Sequence, residues 1–185
     1  MVVKTAIYSD IKVQNRPSFY ATPVAWAAAD FTQLLIRDDG GIVPHHTGMI
    51  VASDECSLST IRVLSRTAVK GTIAPLQFAG ASPSIVAGLP ALQQGIRGPT
   101  LSFTMPPEHA SSAIVAVIDY WMRYGNIVSV IAIAHYKQGE CRHLFKGLIA
   151  RSAGDGLRQQ VLQLCNSQTG ESATPLPTSL VAASS

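Results

Sequence analysis

Cysteine is scarce in this sequence, and charged residues are few. The chain of 185 residues has three cysteines, Cys56, Cys141 and Cys165, at irregular spacing. Three thiols without a repeated spacing exclude a disulfide framework and a cysteine zinc site, and they favour reduced thiols in a cytosol. Charged residues make up only 14% of the chain. The chain has 14 Lys and Arg and 11 Asp and Glu, and its basic residues are scattered along the sequence. Because they form no basic stripe with interleaved aromatics, nucleic-acid binding is not predicted.

Long hydrophobic runs are also missing. The apolar stretches "SSAIVAVIDYWM" and "IVSVIAIA" are each too short to cross a bilayer, and Arg123, Gly125 and Asn126 separate them. The opening "MVVKTAIYSDI" has neither the long apolar run nor the small-residue cleavage site of a signal peptide. These features predict a cytoplasmic protein with no membrane partner.

Apolar residues are abundant overall, although no single run is long. They make up 47% of the chain, which predicts elements buried on both faces or a large subunit interface. The length favours one domain, expected over residues 1–165. The end of the chain, 166–185, is rich in Ser, Thr, Ala and Pro, and we expect it to be a mobile tail.

Strand-like and helix-like patterns alternate along the chain. Pro75, Pro83, Pro90 and Pro99 are expected to break the stretch between the second and third strands into a loop, a helical piece and a turn. The alternation predicts an α/β fold, with a mixed, mostly parallel sheet covered by helices on both faces. Strands are predicted at 2–8, 47–53, 100–104, 127–134 and 144–150, and helices at 23–35, 57–69, 110–124 and 158–164.

A sharp break follows the third predicted strand. It reads Met105-Pro106-Pro107-Glu108-His109 and leads into a helix that is apolar almost all round, which predicts burial. Glu108 and His109 have two interpretations. A proline and an acid are ordinary at the start of a helix, but the same two side chains could form a general acid–base pair. The sequence leaves both open.

The other histidines carry weaker signals. His45 and His46 have no third ligand at a standard spacing, so no metal site is predicted. His135 follows the predicted central strand, at an edge where ligands gather in α/β sheets, although hydrogen-bonded structure is the commoner role there. Cys141 lies beside Arg142 and His143, which could lower a thiol pKa, but a plain loop cysteine is favoured. We predict no cofactor.

Two segments together resemble a known enzyme family. "GASPSIVAGLPALQQGIRGPTLSFT" and "ASSAIVAVIDYWMRYGNIVSVIAIAHY" are similar in order and spacing to the N-terminal half of a β-ketoacyl synthase, which has the thiolase fold. Gly95-Ile96-Arg97-Gly98-Pro99 is the most specific match, and Arg123-Tyr124-Gly125 is a weaker one. The resemblance covers roughly residues 2–137 and is closest to the chain-length-factor-like domains of polyketide and aryl-polyene gene clusters. It implies a layered, thiolase-like half-fold.

The departures from that family decide what the resemblance implies about activity. The position of the family's cysteine nucleophile falls on Pro107, which can neither form an acyl thioester nor donate a backbone N–H to an oxyanion. The family's two catalytic histidines, or His and Asn, lie in a C-terminal half that this chain is expected to lack. Together these departures imply that the chain alone performs no Claisen condensation.

The resemblance implies a non-condensing accessory subunit in polyketide or fatty-acyl biosynthesis. Such a subunit would form a homodimer or pair with a ketosynthase, and it could dock an acyl carrier protein. Met105, Pro106 and Pro107 would then border the acyl substrate. The edge that pairs with the partner would comprise Thr100, Leu101, Ser102, Phe103 and Thr104.

An enzymatic alternative stays open beside the accessory role. In it, Glu108 and His109, with His135, would move protons during cyclisation, dehydration or isomerisation of a carrier-bound acyl or aromatic intermediate. The sequence does not decide whether the chain is an enzyme.

Overall fold

The computed structural model describes residues 3–9, 11, 20–72, 75–167 and 174–175. A short 3-10 turn, Pro44–His46, precedes the second strand. The strands are β1 (Lys4–Ser9), β2 (Thr47–Ala52), β3 (Thr100–Phe103), β4 (Ser129–Gln138), β5 (Arg142–Ala150) and β6 (Thr174–Pro175). The helices are α1 (Pro23–Asp38), α2 (Leu58–Ala68), α3 (Pro75–Ala79), α4 (Ile85–Gln93), α5 (Pro107–Tyr124) and α6 (Asp155–Leu164).

All six strands form one mixed sheet in the order β3-β2-β4-β5-β1-β6. The neighbours β3, β2 and β4 run parallel, and β6 runs parallel to β1. β5 is antiparallel to both β4 and β1. The predicted α/β class with a mixed sheet is therefore confirmed.

Helices cover both faces of this sheet. One face packs under α1 and α4, with Phe31, Met49 and Ile133 in a shared core. The other face packs under α5 and α6, where Ile114 and Val161 are fully buried. Since β2 and nearly all of β4 and β5 are buried on both sides, their sequences read as continuous apolar runs rather than as alternating patterns.

The link between α4 and β3 has the hydrogen bonds of a Schellman motif. Gly95 follows the helix with φ of +64°, a left-handed conformation that glycine adopts without steric cost. Its N–H donates to the carbonyl of Leu92, and the N–H of Ile96 donates to the carbonyl of Ala91, which satisfies the last carbonyls of the helix. The first half of the Gly95-to-Pro99 motif is therefore a helix stop.

Three local predictions differ from the structure. Pro90 lies inside α4, where it removes only one helical hydrogen bond and is itself buried. β4 continues to Gln138, so His135 and Tyr136 lie within the strand rather than beyond its end. β5 begins at Arg142 and not at Leu144, since the antiparallel ladder extends almost to the hairpin turn.

Helix α5 is buried on one side only. Its inner positions Ala110, Ile114 and Ile118 have no exposed surface, whereas Tyr120 and Tyr124 on its outer side are 61% and 75% exposed. The predicted burial of this helix is therefore correct for one face and wrong for the other.

The predicted mobile tail lies mostly outside the described residues. In the described part of that segment, Thr174–Pro175 forms β6 beside β1. A search of the described helices finds none that combines the length and the hydropathy needed to span a membrane.

Candidate functional site

Three polar side chains meet on the α1 and α4 face of the sheet, at the carboxyl end of β2 and the hairpin of β4 and β5. The hydroxyl oxygen of Ser53 lies 2.7 Å from Nδ1 of His135, and Nε2 of His135 lies 2.9 Å from Nδ1 of His143. Ser53 and His135 are fully buried, and His143 is 6% exposed. We name Ser53, His135 and His143 the serine–histidine chain.

The hydrogen bonds around Ser53 determine which group donates each proton along the serine–histidine chain. Its hydroxyl oxygen accepts from the backbone N–H groups of Glu55 and Cys56, at 3.2 and 3.1 Å. Because both acceptor positions of the hydroxyl are used, its single proton points to Nδ1 of His135. His135 then carries its own proton on Nε2 and donates it to Nδ1 of His143. Both imidazoles are neutral in this arrangement.

The surroundings of the two histidines favour the neutral state. Burial lowers the pKa of His135 to about 3, with smaller contributions from His143 and Lys137. Burial and Lys137 also lower the pKa of His143, against an opposing effect of Glu55. Glu55 lies between two cations, 3.4 Å from Nζ of Lys137 and 3.7 Å from the guanidinium of Arg62. The charge of Glu55 is therefore balanced by Lys137 and Arg62 rather than by a protonated histidine, and the buried pair is left neutral.

Cys56 lies in the turn that follows Ser53. It has φ of +36°, which is rare for a residue other than glycine, and its Sγ donates to the carbonyl of Ser53 at 3.0 Å. Burial raises the pKa of the Cys56 thiol to about 11. Such a thiol is protonated at neutral pH, and its geometry serves to hold the turn rather than to attack a substrate.

The predicted break before α5 lies at the same end of the sheet, on the opposite face. Pro107 is the first helical residue and is buried, while Glu108 and His109 are exposed in the first turn. Met105 and Pro106 are also exposed. Since neither proline has an N–H, the turn has fewer backbone donors than a helix start normally offers to a developing oxyanion.

Three further polar groups, Tyr136, Lys146 and Cys165, lie on this face, and Glu108 acts electrostatically on Tyr136 and Cys165. Tyr136 donates its hydroxyl to the carbonyl of Leu164 at 3.0 Å, and Nζ of Lys146 donates to the carbonyl of Asn166 at 2.6 Å. Leu164 is the last residue of α6 and Asn166 follows it by two positions, and a cation is favourable at this negative end of the helix dipole. Burial and the Glu108 carboxylate raise the pKa of the Cys165 thiol to about 12. This group therefore anchors α6 to the sheet.

The sheet separates the residues predicted to act together. Glu108 and His109 lie on the α5 face, whereas the side chain of His135 packs against Phe145 in the α1 face, at 4.6 Å between ring centroids. Neighbouring strand residues point to opposite faces, so Tyr136 and not His135 faces α5. The acid–base role of Glu108 and His109 stays a prediction.

The described residues hold few groups suited to a metal or to nucleophilic attack. Within ranges 3–9, 11, 20–72, 75–167 and 174–175, no three His, Cys, Asp or Glu side chains are placed to hold a metal ion. The three cysteines are free thiols. Two of them, Cys56 and Cys165, have pKa values raised by burial, which opposes thiolate formation.

Two solved structures share this architecture. The first, "The ishigamide ketosynthase/chain length factor", aligns with a TM-score of 0.52 and 16% identity over 70% of this chain and 44% of that chain. The second, a ketosynthase (ApeO) in complex with its chain length factor (ApeC) from Xenorhabdus doucetiae, aligns with a TM-score of 0.55 and 11% identity over 72% of this chain and 59% of that one. The fold is ketosynthase-like. The predicted thiolase-like fold and the resemblance to chain-length-factor-like domains are therefore confirmed at the level of the fold.

The ketosynthase-like chain is shorter than these neighbours and distant from them in sequence. It spans 44% and 59% of the lengths of the two chains. No family model matches the sequence, and no curated protein matches it.

Sequence reasoning missed Ser53 and His143 as partners of His135. His135 and His143 are joined by the β4–β5 hairpin, with Lys137 opposite His143 and His135 opposite Phe145. A hairpin interpretation of the segment around Gly139, which has φ of +75°, would have brought the two histidines together. Nothing local to Ser53 indicates its contact, which spans 82 positions.

Proposed function

We propose that this chain is a non-condensing, chain-length-factor-like accessory subunit that pairs with a ketosynthase-type subunit or with a second copy of itself. The observation that carries the proposal is a ketosynthase-like fold with Pro107 at the first position of α5. By the sequence resemblance, that position belongs to the condensing cysteine. A polyketide or fatty-acyl pathway is the setting that this fold supports best.

The free edge of β3 supports pairing. Among the strands that the structure describes, β3 is the last on its side of the sheet. The carbonyls of Pro99 and Phe103 accept from N–H groups of β2 and its end. Because successive residues of a strand direct their hydrogen-bonding groups to opposite sides, the N–H groups of Thr100 and Ser102 point to the open edge. An unpaired edge of this kind is a template for another strand.

Ser102→Pro tests this edge directly. Proline removes the outward N–H of Ser102 and leaves the N–H groups that face β2 in place, so the subunit should fold, with a melting temperature within a few degrees of the wild type. Pairing should fall by at least tenfold. The measurement is size-exclusion chromatography with light scattering, of the chain alone and mixed with ketosynthase-type subunits encoded in the same genome.

Ser102→Ala is the matched control. It keeps the outward N–H and removes only a buried hydroxyl that has no hydrogen-bond partner among the described residues, so pairing should persist. A wild-type chain that runs as a single copy at micromolar concentration and binds none of those ketosynthase-type subunits would refute the proposed function.

A further inference from the structure

One long stretch of the sequence carries no acidic residue. Between Glu55 and Glu108 there is no Asp or Glu. The basic residues of this stretch are Arg62, Arg66, Lys70 and Arg97. Three of these four lie in α2 or directly after it, so positive charge is concentrated on one helix.

Helix α2 packs loosely on the rest of the fold. Leu64 is its one buried residue, whereas Arg62, Arg66 and Lys70 are all exposed. Residues four apart lie on the same side of a helix, so these three side chains form a row about 12 Å long. We name Arg62, Arg66 and Lys70 the basic row.

Apolar side chains protrude beside the basic row. Ile61 and Val63 are 46% and 50% exposed, and Val69, at the end of α2, is 89% exposed. Helix α3 contacts α2 and adds Phe78, which is 61% exposed. Exposed apolar groups that lie together usually mark a contact surface. The surface of α2 therefore offers cations and apolar groups to the same partner.

Charge excludes two possible partners for this surface. Among the described residues, only Arg62 of the basic row has an acidic neighbour, Glu55 at 3.7 Å. A second copy of α2 would bring two basic rows together, and like charges repel. The segments outside the described residues contain only two acids, Asp10 and Glu171, too few to neutralise the row. The complementary partner is therefore anionic and separate from this chain.

We propose that α2 lies against an anionic lipid surface, with the basic row at the headgroups and Val63, Val69 and Phe78 at the boundary of the acyl chains. Cations spread along a row suit headgroups spread over a plane. The apolar groups favour lipid over an acidic protein, because valine seldom anchors a protein interface, whereas tryptophan and tyrosine often do. The proposal goes beyond subunit pairing and does not depend on it.

This mode of binding needs no membrane-spanning segment. The sequence predicts no membrane partner because its apolar runs are too short to cross a bilayer, but a helix that lies in the plane of the lipid surface needs no such run.

Co-sedimentation of the full chain with lipid vesicles tests the proposal. One set of vesicles is phosphatidylcholine, and the other is phosphatidylcholine and phosphatidylglycerol in equal parts. Binding to the anionic set should be at least about tenfold tighter. Salt at about 0.5 M should remove this preference, because it screens exposed charges. Equal binding to both sets, or binding that salt leaves unchanged, would refute the proposal.

A pair of double variants tests the basic row. Arg66→Gln with Lys70→Gln should weaken binding to the anionic vesicles about twentyfold, since each cation near such a surface contributes roughly a factor of five. Arg97→Gln with Arg158→Gln removes the same charge from exposed positions elsewhere and should weaken binding less than about threefold. Equal losses in the two double variants would assign binding to net charge and contradict the role of α2.

A second pair of variants reports which surface meets the lipid. In Val69→Trp, the introduced indole should tighten binding, and its fluorescence should shift to the blue on anionic vesicles, because tryptophan favours the membrane interface. Leu162→Trp, at a position of α6 that is 53% exposed, should show neither effect. Identical spectra of both variants with and without vesicles would contradict the proposal.

Poly-L-glutamate serves as the competing probe for an acidic protein. If it binds the chain through the basic row and the vesicles do not bind, the partner is an acidic protein and the proposal is overturned. These outcomes are separate from those of the pairing experiment, since Ser102→Pro leaves α2 intact.

Discussion

Replacement of Gly98 by alanine is expected to destabilise the fold by about 4 kcal/mol or more, at the upper end of what single substitutions cost. A Cβ at this position would overlap the carbonyl oxygen of Thr47 and lie 2.7 Å from the carbonyl carbon. Both are backbone atoms of β2, so no side chain can move aside. The flanking hydrogen bonds, Arg97 to Pro44 and Met49 to Pro99, hold the two segments at this distance.

Urea denaturation followed by circular dichroism measures the effect of Gly98→Ala. Since small domains are stable by only about 5 to 15 kcal/mol, a large part of the variant should be unfolded or insoluble. Gly88→Ala is the matched control, because Gly88 lies inside α4 and its Cβ would meet no atom within 4 Å. That change should stabilise the helix by up to about 1 kcal/mol. Equal stability of the two variants would contradict the proposed close contact.

The second large expected effect is a loss of folding stability at acid pH. The pKa of His135 is about 3 in the folded chain, mainly because of burial, against an ordinary value near 6.5. Between these values the unfolded chain binds a proton that the folded chain does not. The free energy of unfolding therefore falls as the pH drops through 6.5. His135 alone should cost about 2 to 3 kcal/mol between pH 7 and pH 4.5.

His135→Gln isolates this contribution. The amide oxygen can accept from Ser53 and the amide N–H can donate to His143, but the side chain no longer titrates. The variant should be less stable than the wild type at pH 7 and should lose less stability on acidification, as measured by urea denaturation at several pH values. His45→Gln, at an exposed position, controls for the loss of one histidine. Parallel pH profiles of wild type and His135→Gln would rule out the neutral serine–histidine chain.

The two halves of the Gly95-to-Pro99 motif show which structural roles of glycine can be predicted from the sequence and which cannot. Gly95 can be interpreted locally, because a glycine after a helix predicts a left-handed stop. Gly98 cannot, because its requirement comes from the backbone of Thr47, 51 positions earlier in the chain and brought close only by the pairing of β2 and β3. Resemblance to a family identified both glycines, but only the structure supplies the physical reason for the second.

The position of His135 is a second feature that the sequence did not determine. The sequence predicts a strand that ends at Ala134, which places His135 just past its end, where ligands gather in α/β sheets although hydrogen-bonded structure is the commoner role. In the structure the ladder with β5 continues, and the alternation of the strand directs His135 away from Glu108 and His109. A sequence shows which residues alternate, but it does not show which face each one meets.

The sequence by itself determined the α/β class, most helices and strands, and the break before α5 with proline in place of a nucleophile. These features follow from apolar periodicity and from the backbone limits of glycine and proline, which act over a few residues. Tertiary structure alone decided the serine–histidine chain and the contact at Gly98. Each joins residues far apart in the chain, and their distances depend on strand pairing and helix packing, which no local pattern encodes.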